Sequence, residues 1–402
     1  MRWPLLVWLG LLAVPAWSAE WRAEPSVALR QEYNDNINLT ALPHEAVWGT
    51  ILTPSLKLSR NTEVSQTYAS LLVNINRYRG QTGLNRNDLY YTLGSNYKTE
   101  RDIWAGDFSY TSDSTLTSEL NQTGVVLARA QHNLLSLKPS WTRQLTERGS
   151  VRLSYMFNDS RYSGGAASGL VDYTYHVAAA DWLYQMSEKD QLSMTASYSR
   201  FLTTNNNYTA NTVGLQGGLT HSFSETLQGT LQLGVNQTRS TLKTNAVQFV
   251  FDPSTFSFVP VLVANTLTTS NLVPVLSAKL SKQFETGTLT GTASRELQPT
   301  GNGSLVETDR LGLDASRSFS EKLVGSANAA VYRSRYIGGA VNAPSSRYYS
   351  LGLGLNWRMD ERWRLDGGYR YARSEYQNSS VAPTSNLVYA TITYAWPESM
   401  SR

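Results

Sequence analysis

The chain has 402 residues and a formal net charge of +4, with 41% hydrophobic and only 16% charged residues, and it carries 23 Tyr, 11 Trp and 28 Gly but no Cys. The absence of Cys excludes a disulfide scaffold or a cysteine metal site, and an aromatic share of 11% excludes a disordered chain. Beyond the first 20 positions no run of about 20 apolar residues offers a transmembrane helix, and the small, unclustered basic excess leaves no footprint for nucleic acid.

A mean hydropathy of −0.33 with so few charges fits a transmembrane β-barrel, in which only alternate residues meet lipid. Residues 1–19 read as a secretory signal peptide. Arg2 is its positive start, Leu5 to Val14 its apolar stretch, and small residues end it, with cleavage after Ser18 or Ala19 both open. From residue 20 the expectation is one barrel domain, with strands over about 26–396. No linker or helical-period segment interrupts it.

Eight short polar turns recur along the chain, from Arg60-Asn61-Thr62-Glu63 through Lys98-Thr99-Glu100-Arg101 to Asp360-Glu361-Arg362. Each separates two alternating segments, as a tight hairpin does. Nine longer loops return the chain, among them Arg79–Gly83, Ser163–Gly169, Asn205–Asn207, Thr300–Gly303 and Gly338–Ala340. Seventeen connections predict an all-β, antiparallel up-and-down barrel of about 18 strands, with both termini on the short-turn side. The alternation is explicit. Val151, Leu153, Tyr155 and Phe157 oppose Arg152, Ser154 and Asn158. Near the end, Val388, Ala390, Ile392 and Tyr394 oppose Tyr389, Thr391 and Thr393. A soluble sandwich is the alternative, and it would bring the apolar rows against each other. Trp141, Phe223, Phe284, Phe319, Trp357, Trp363 and Trp396 lie beside the short turns, where an interfacial girdle belongs.

The longest connection runs from about Thr241 to Thr269. Phe249, Phe251, Asp252, Phe256 and Phe258 outline a hairpin around an Asp-Pro turn. Its expected role is to fold over or into the mouth and narrow it. The alternative is an extracellular extension of the two strands.

The predicted inward faces carry Lys57, Lys138, Arg152, Lys279, Arg310, Arg358, Arg364 and Arg370, with Asp107, Asp181, Asp314 and Asp366. A basic lining concentrates anions and is expected of an anion-selective pore. The bland alternative is cross-strand pairing that stiffens the wall. Inward Tyr332, Tyr348 and Tyr389 offer flat faces for stacking on sugar rings, or else fill space.

Tyr33-Asn34-Asp35-Asn36-Ile37, the Pro-x-apolar steps at Pro54, Pro139 and Pro274, and the Val388–Trp396 finish resemble an outer-membrane β-barrel porin family found beside exopolysaccharide biosynthesis genes, an alginate-exporter-like barrel. The resemblance implies passage of a secreted polysaccharide, a periplasmic export or polymerisation partner, and insertion by the barrel-insertion machinery into the outer-membrane lipid of a Gram-negative bacterium. A general small-solute porin and a structural or adhesive barrel are the alternatives.

No enzyme signature is present. His44, His132, His176 and His221 make no metal spacing, and there is no nucleophile elbow or phosphate-binding glycine loop. Asp35 with Asn34 and Asn36 lacks the rest of a calcium loop. No enzyme, cofactor or metal is expected.

Overall fold

The computed structural model describes residues 21–401, except 42–43, 125–128, 165–168, 206, 338–344, 378 and 398. The signal peptide expected at 1–19 lies outside the described residues, as do parts of the loops expected at 163–169, 205–207 and 338–340. Eighteen long strands follow one another. The first six are β1 (Trp21–Asn34), β2 (Val47–Asn61), β3 (Ser65–Arg79), β4 (Arg86–Lys98), β5 (Asp102–Ser114) and β6 (Gln131–Gln144). Next come β7 (Gly149–Ser163), β8 (Tyr173–Gln185), β9 (Asp190–Thr203), β10 (Tyr208–Ser224), β11 (Leu227–Asp252) and β12 (Ser257–Phe284). The wall finishes with β13 (Gly287–Thr300), β14 (Ser304–Ser318), β15 (Leu323–Ile337), β16 (Ser346–Arg358), β17 (Trp363–Tyr376) and β18 (Thr384–Ala395). Each pairs antiparallel with its neighbours in sequence, and β1 pairs with β18 from Ser26↔Ala395 to Asn34↔Leu387. The sheet is therefore closed. Closure leaves no edge with unpaired backbone groups, which is what a strand needs in order to cross hydrocarbon.

The eight short connections fall where alternation placed them, and nine others return the chain, but β11 and β12 run on through the connection expected at 241–269 and turn only at 253–256. The wall begins at Trp21, earlier than expected, and the tail after Trp396 adds β19 (Ser399–Ser401), which pairs with Trp21–Ala23.

The two faces of each strand differ as their residues dictate. Leu215, Leu231, Leu233, Val235, Leu353, Leu355 and Val388 are all exposed, on the parity that faces out. An apolar row with no protein over it is stable only where lipid replaces water. Toward the short turns the outer face becomes aromatic. Trp104 stacks on Trp141 at 5.6 Å, and Trp363, Tyr394 and Trp396 form a chain of ring contacts at 4.9 Å each. Rings with one wet edge belong at that depth. The molecule is a closed antiparallel β-barrel of 18 long strands with an apolar outer wall.

The β5–β6 connection departs from the sequence-based expectation. It contains a helix, α1 (Thr115–Thr123). Ser114 caps its start, accepting from the Leu116 N–H at 3.3 Å. Gly124 ends it at φ 69°, in the left-handed region, donating to the Leu120 carbonyl at 3.0 Å.

Candidate functional site

The contacts of α1 place it inside the cylinder. Its Glu119 accepts from the Tyr162 hydroxyl on β7, and its Thr123 carbonyl accepts from Ser334 Oγ on β15. Leu120 packs with Tyr332, Tyr348 and Ala372 on β15, β16 and β17. β7 and β15–β17 lie eight to ten strands apart in a ring of 18, on opposite walls. A nine-residue helix that touches both can only run across the lumen. Gly124 fixes the far end: a Cβ there would stand 2.7 Å from Tyr332 Cβ and 3.1 Å from Tyr348 Cβ.

Around α1, buried side-chain clusters occupy much of the outer half of the lumen and leave a cavity of about 560 Å³ beside Leu116 and Leu120. Tyr162, Leu170, Tyr173, Phe201, Tyr208 and Leu305 form one buried cluster. His132 stacks on Tyr162 at 4.8 Å, and its two ring nitrogens meet Ser118 of α1 at 2.8 Å and Ser160 at 2.7 Å. Val47, Tyr78 and Leu84 form a smaller cluster. The carboxylates of this half are matched within it. Glu32 takes Arg30 at 2.9 Å and the Tyr78 hydroxyl at 3.2 Å. Asp88 takes Arg86 and Asn76, each at 2.8 Å, and Asp113 takes the Tyr90 hydroxyl at 3.2 Å. On α1, burial pushes the Glu119 carboxyl up to about 7, against the lowering effect of the Tyr162 hydroxyl and the Gly301 amide.

Register settles the face of every residue expected in the lumen. Arg310 is opposite Tyr332, Tyr332 is opposite Tyr348, and Arg370 is opposite Gly352. Arg358 and Arg364 are partners, and Lys279 faces Thr292. Lys138 is opposite Asp107, Arg152 is opposite Asp181, and Lys57 is opposite Glu24. All eight share the parity of Tyr162, Tyr332 and Tyr348, which α1 marks as inward, and all eight are exposed. They differ in partners. Arg152 is paired with Asp181 at 2.8 Å, whereas Lys57, Lys138, Lys279, Arg310, Arg358, Arg364 and Arg370 have no ion pair among the described residues. Asp107 accepts from the Tyr68 hydroxyl at 2.7 Å, and Asp366 accepts from Asn356. The open lumen on the short-turn side of α1 therefore carries more cations than acids without ion pairs, the acids being Asp107, Asp314 and Asp366.

The inward tyrosines are placed differently from the sugar-stacking expectation. Tyr332 and Tyr348 are 4% and 2% exposed, because α1 lies on them. Tyr389 is half-buried, with the Arg30 guanidinium 4.0 Å from its ring centre. The Phe-rich hairpin also differs from the expected constriction. Its ladder runs unbroken from Val247↔Leu262 through Phe249↔Pro260 and Phe251↔Phe258 to Asp252↔Ser257. Phe249, Phe256 and Phe258 are 68%, 86% and 67% exposed, and Phe251 is exposed as well. The hairpin extends the two strands, and α1 is the segment that crosses the lumen. Reading along the chain missed α1, and with it Arg30, Glu32, Arg86, Asp88, Asp113 and Glu119. The available signals were small: Ser114 and Gly124 with nine residues between them, around Leu116 and Leu120 at helical spacing.

No family profile and no curated protein matches this chain. Solved structures do. Acinetobacter baumannii OccAB4 aligns over 95% of this chain and 98% of its own, at 10% identity and a TM-score of 0.44. Pseudomonas aeruginosa OccK2 (OpdF) aligns over 93% and 98%, at 8% identity and 0.46. The ferric-catecholate import receptor Fiu from E. coli K12, in its open form, aligns over 94% and 82%, at 8% identity and 0.46.

Proposed function

We propose that this barrel is a diffusion channel for small solutes, with a preference for anions. The observation that carries the reading is α1 lying across the lumen, anchored to β7 at one side and to β15–β17 at the other. Beside the crossing helix, a cavity of about 560 Å³ lined by Leu116, Leu120, Arg129 and Tyr376 leaves room for a small molecule. A polysaccharide chain, which the family resemblance implied, would need the helix to leave. The preference for anions is supported by the exposed cations below α1, whose field raises local anion concentration.

The test is conductance in planar bilayers. The intact protein should give small single-channel steps, with a reversal potential in a KCl gradient of the sign set by chloride. Removing residues 115–123 should enlarge the steps several-fold. No current from the intact barrel, coupled with loss of surface polysaccharide on gene deletion, would restore the export reading. A silent barrel with no polymer phenotype would favour the adhesive one.

A further inference from the structure

On the outer wall, charge appears at the long-loop ends of β13–β17, where the lipid-facing row should be apolar. Register aligns Arg295, Asp309, Arg333, Arg347 and Glu375 side by side around the barrel. One step toward the membrane centre, the same outward row reads Ala293, Leu311, Val331 and Tyr349. The charges therefore stand at the upper boundary of the apolar belt, at headgroup depth.

The acids of this patch already have cations. Asp309 takes Arg295 at 2.5 Å, Glu307 takes Arg335, with Arg295 3.3 Å away, and Glu375 takes Arg373 at 2.7 Å. Arg333 and Arg347 remain. They face each other directly across β15 and β16, both exposed, with no ion pair among the described residues. Like charges directly opposite on a sheet destabilise it. An anion between them would reverse the sign, because two guanidinium forks match the oxygens of a phosphate.

The surface beneath the pair fits hydrocarbon. Small residues hollow the outer wall into a trough of about 670 Å³, lined by Gly291, Ala293, Ala329, Val331, Tyr349 and Leu351. Arg333 itself lines an adjoining trough with Leu311 and Val331. A phosphate held at the boundary, with an acyl chain running down from it, occupies both features together. A free phosphate would leave the trough empty.

We propose that Arg333 and Arg347 bind the phosphate of a phosphorylated glycolipid of the outer leaflet, whose acyl chain lies in the trough below. The test uses the full barrel, purified in non-ionic detergent and freed of native lipid. It is titrated with bis-phosphorylated lipid A and with lipid A stripped of both phosphates. The wild-type protein should prefer the phosphorylated form by about tenfold or more. In Arg333→Gln/Arg347→Gln that ratio should fall toward one, while Arg317→Gln, at the opposite end of the outer wall, should leave it unchanged. Excess inorganic phosphate should not displace the lipid. If the double variant loses the folded, heat-modifiable band, Arg347→Gln alone should still lower the ratio. A wild-type ratio near one, an unchanged ratio in the variants, or full displacement by inorganic phosphate would overturn the proposal.

Discussion

Arg152 donates to Asp181 at 2.8 Å, and Asp181, 7% exposed, also accepts from Thr195 at 2.6 Å. Arg310 sits on the same inward face with its guanidinium 5.2 Å from the Tyr332 ring and no carboxylate partner among the described residues. The two arginines have the same charge and orientation but different consequences. Arg152→Gln strands a buried carboxylate, so it should cost about 1–3 kcal/mol of barrel stability, read as a lower temperature at which the folded band converts on heating. Arg310→Gln with Arg370→Gln strands nothing, so the same assay should be nearly unmoved. Their loss should instead lower the anion-to-cation permeability ratio by roughly two-fold, as the field in the lumen weakens. A variant pair that lowered stability and selectivity together would contradict this separation of roles.

At the scale of the element, α1 meets the wall through two titratable groups, its own Glu119 against Tyr162 and the His132 ring against Ser118 at 2.8 Å. The Glu119 carboxyl is 6% exposed and pushed up to about 7 from its ordinary 4.5 by burial. The docked helix thus keeps a proton that the released loop would give up. The Glu119 contribution to docking is fully present below about 4.5 and fades as pH rises toward 7, by a total on the order of 3 kcal/mol. Channel current should therefore grow noisier or larger between pH 5 and 8, through transient release of α1. Glu119→Gln should abolish that dependence and hold the low-pH behaviour, and a pH-independent wild type would refute the clamp. Gly124→Ala should release the helix at every pH, because its Cβ would meet the Tyr332 side chain at 2.7 Å and the φ of 69° is strained for alanine. The contrast between wall and helix explains what the sequence could reveal. Strands such as Val151–Asn158 advertise themselves, because lipid and water demand opposite chemistry of alternate residues over many positions. α1 offers only Leu116 and Leu120 as a stripe, and its place is set by Tyr162, Tyr332 and Ser334, up to 211 positions away. The inward cations were legible for the same reason as the strands. That Tyr332 and Tyr348 are covered was not, since parity fixes which way a side chain points and says nothing of what lies over it.

For the whole molecule, what matters is where the cylinder ends. β10 pairs with β11 only as far as Leu242, and β13 pairs with β12 only from Leu276. Residues 244–265 therefore pair only with one another, above the wall. A lone two-stranded ribbon has marginal stability of its own and adds none to the barrel beneath it. Its composition reflects the same boundary: Val247, Phe249 and Phe258 continue the outward apolar parity past the point where the basic rim marks the headgroups. The lumen, by contrast, is crossed by α1, which is anchored to β7 and to β15–β17. Removing residues 247–262 should accordingly leave single-channel conductance unchanged and shift the heat-conversion temperature by no more than about a degree. Removing 115–123 should enlarge conductance while keeping the closed wall. If shortening the ribbon enlarged conductance instead, the Phe-rich hairpin would be obstructing the mouth, and α1 would no longer be sufficient to account for the narrowing.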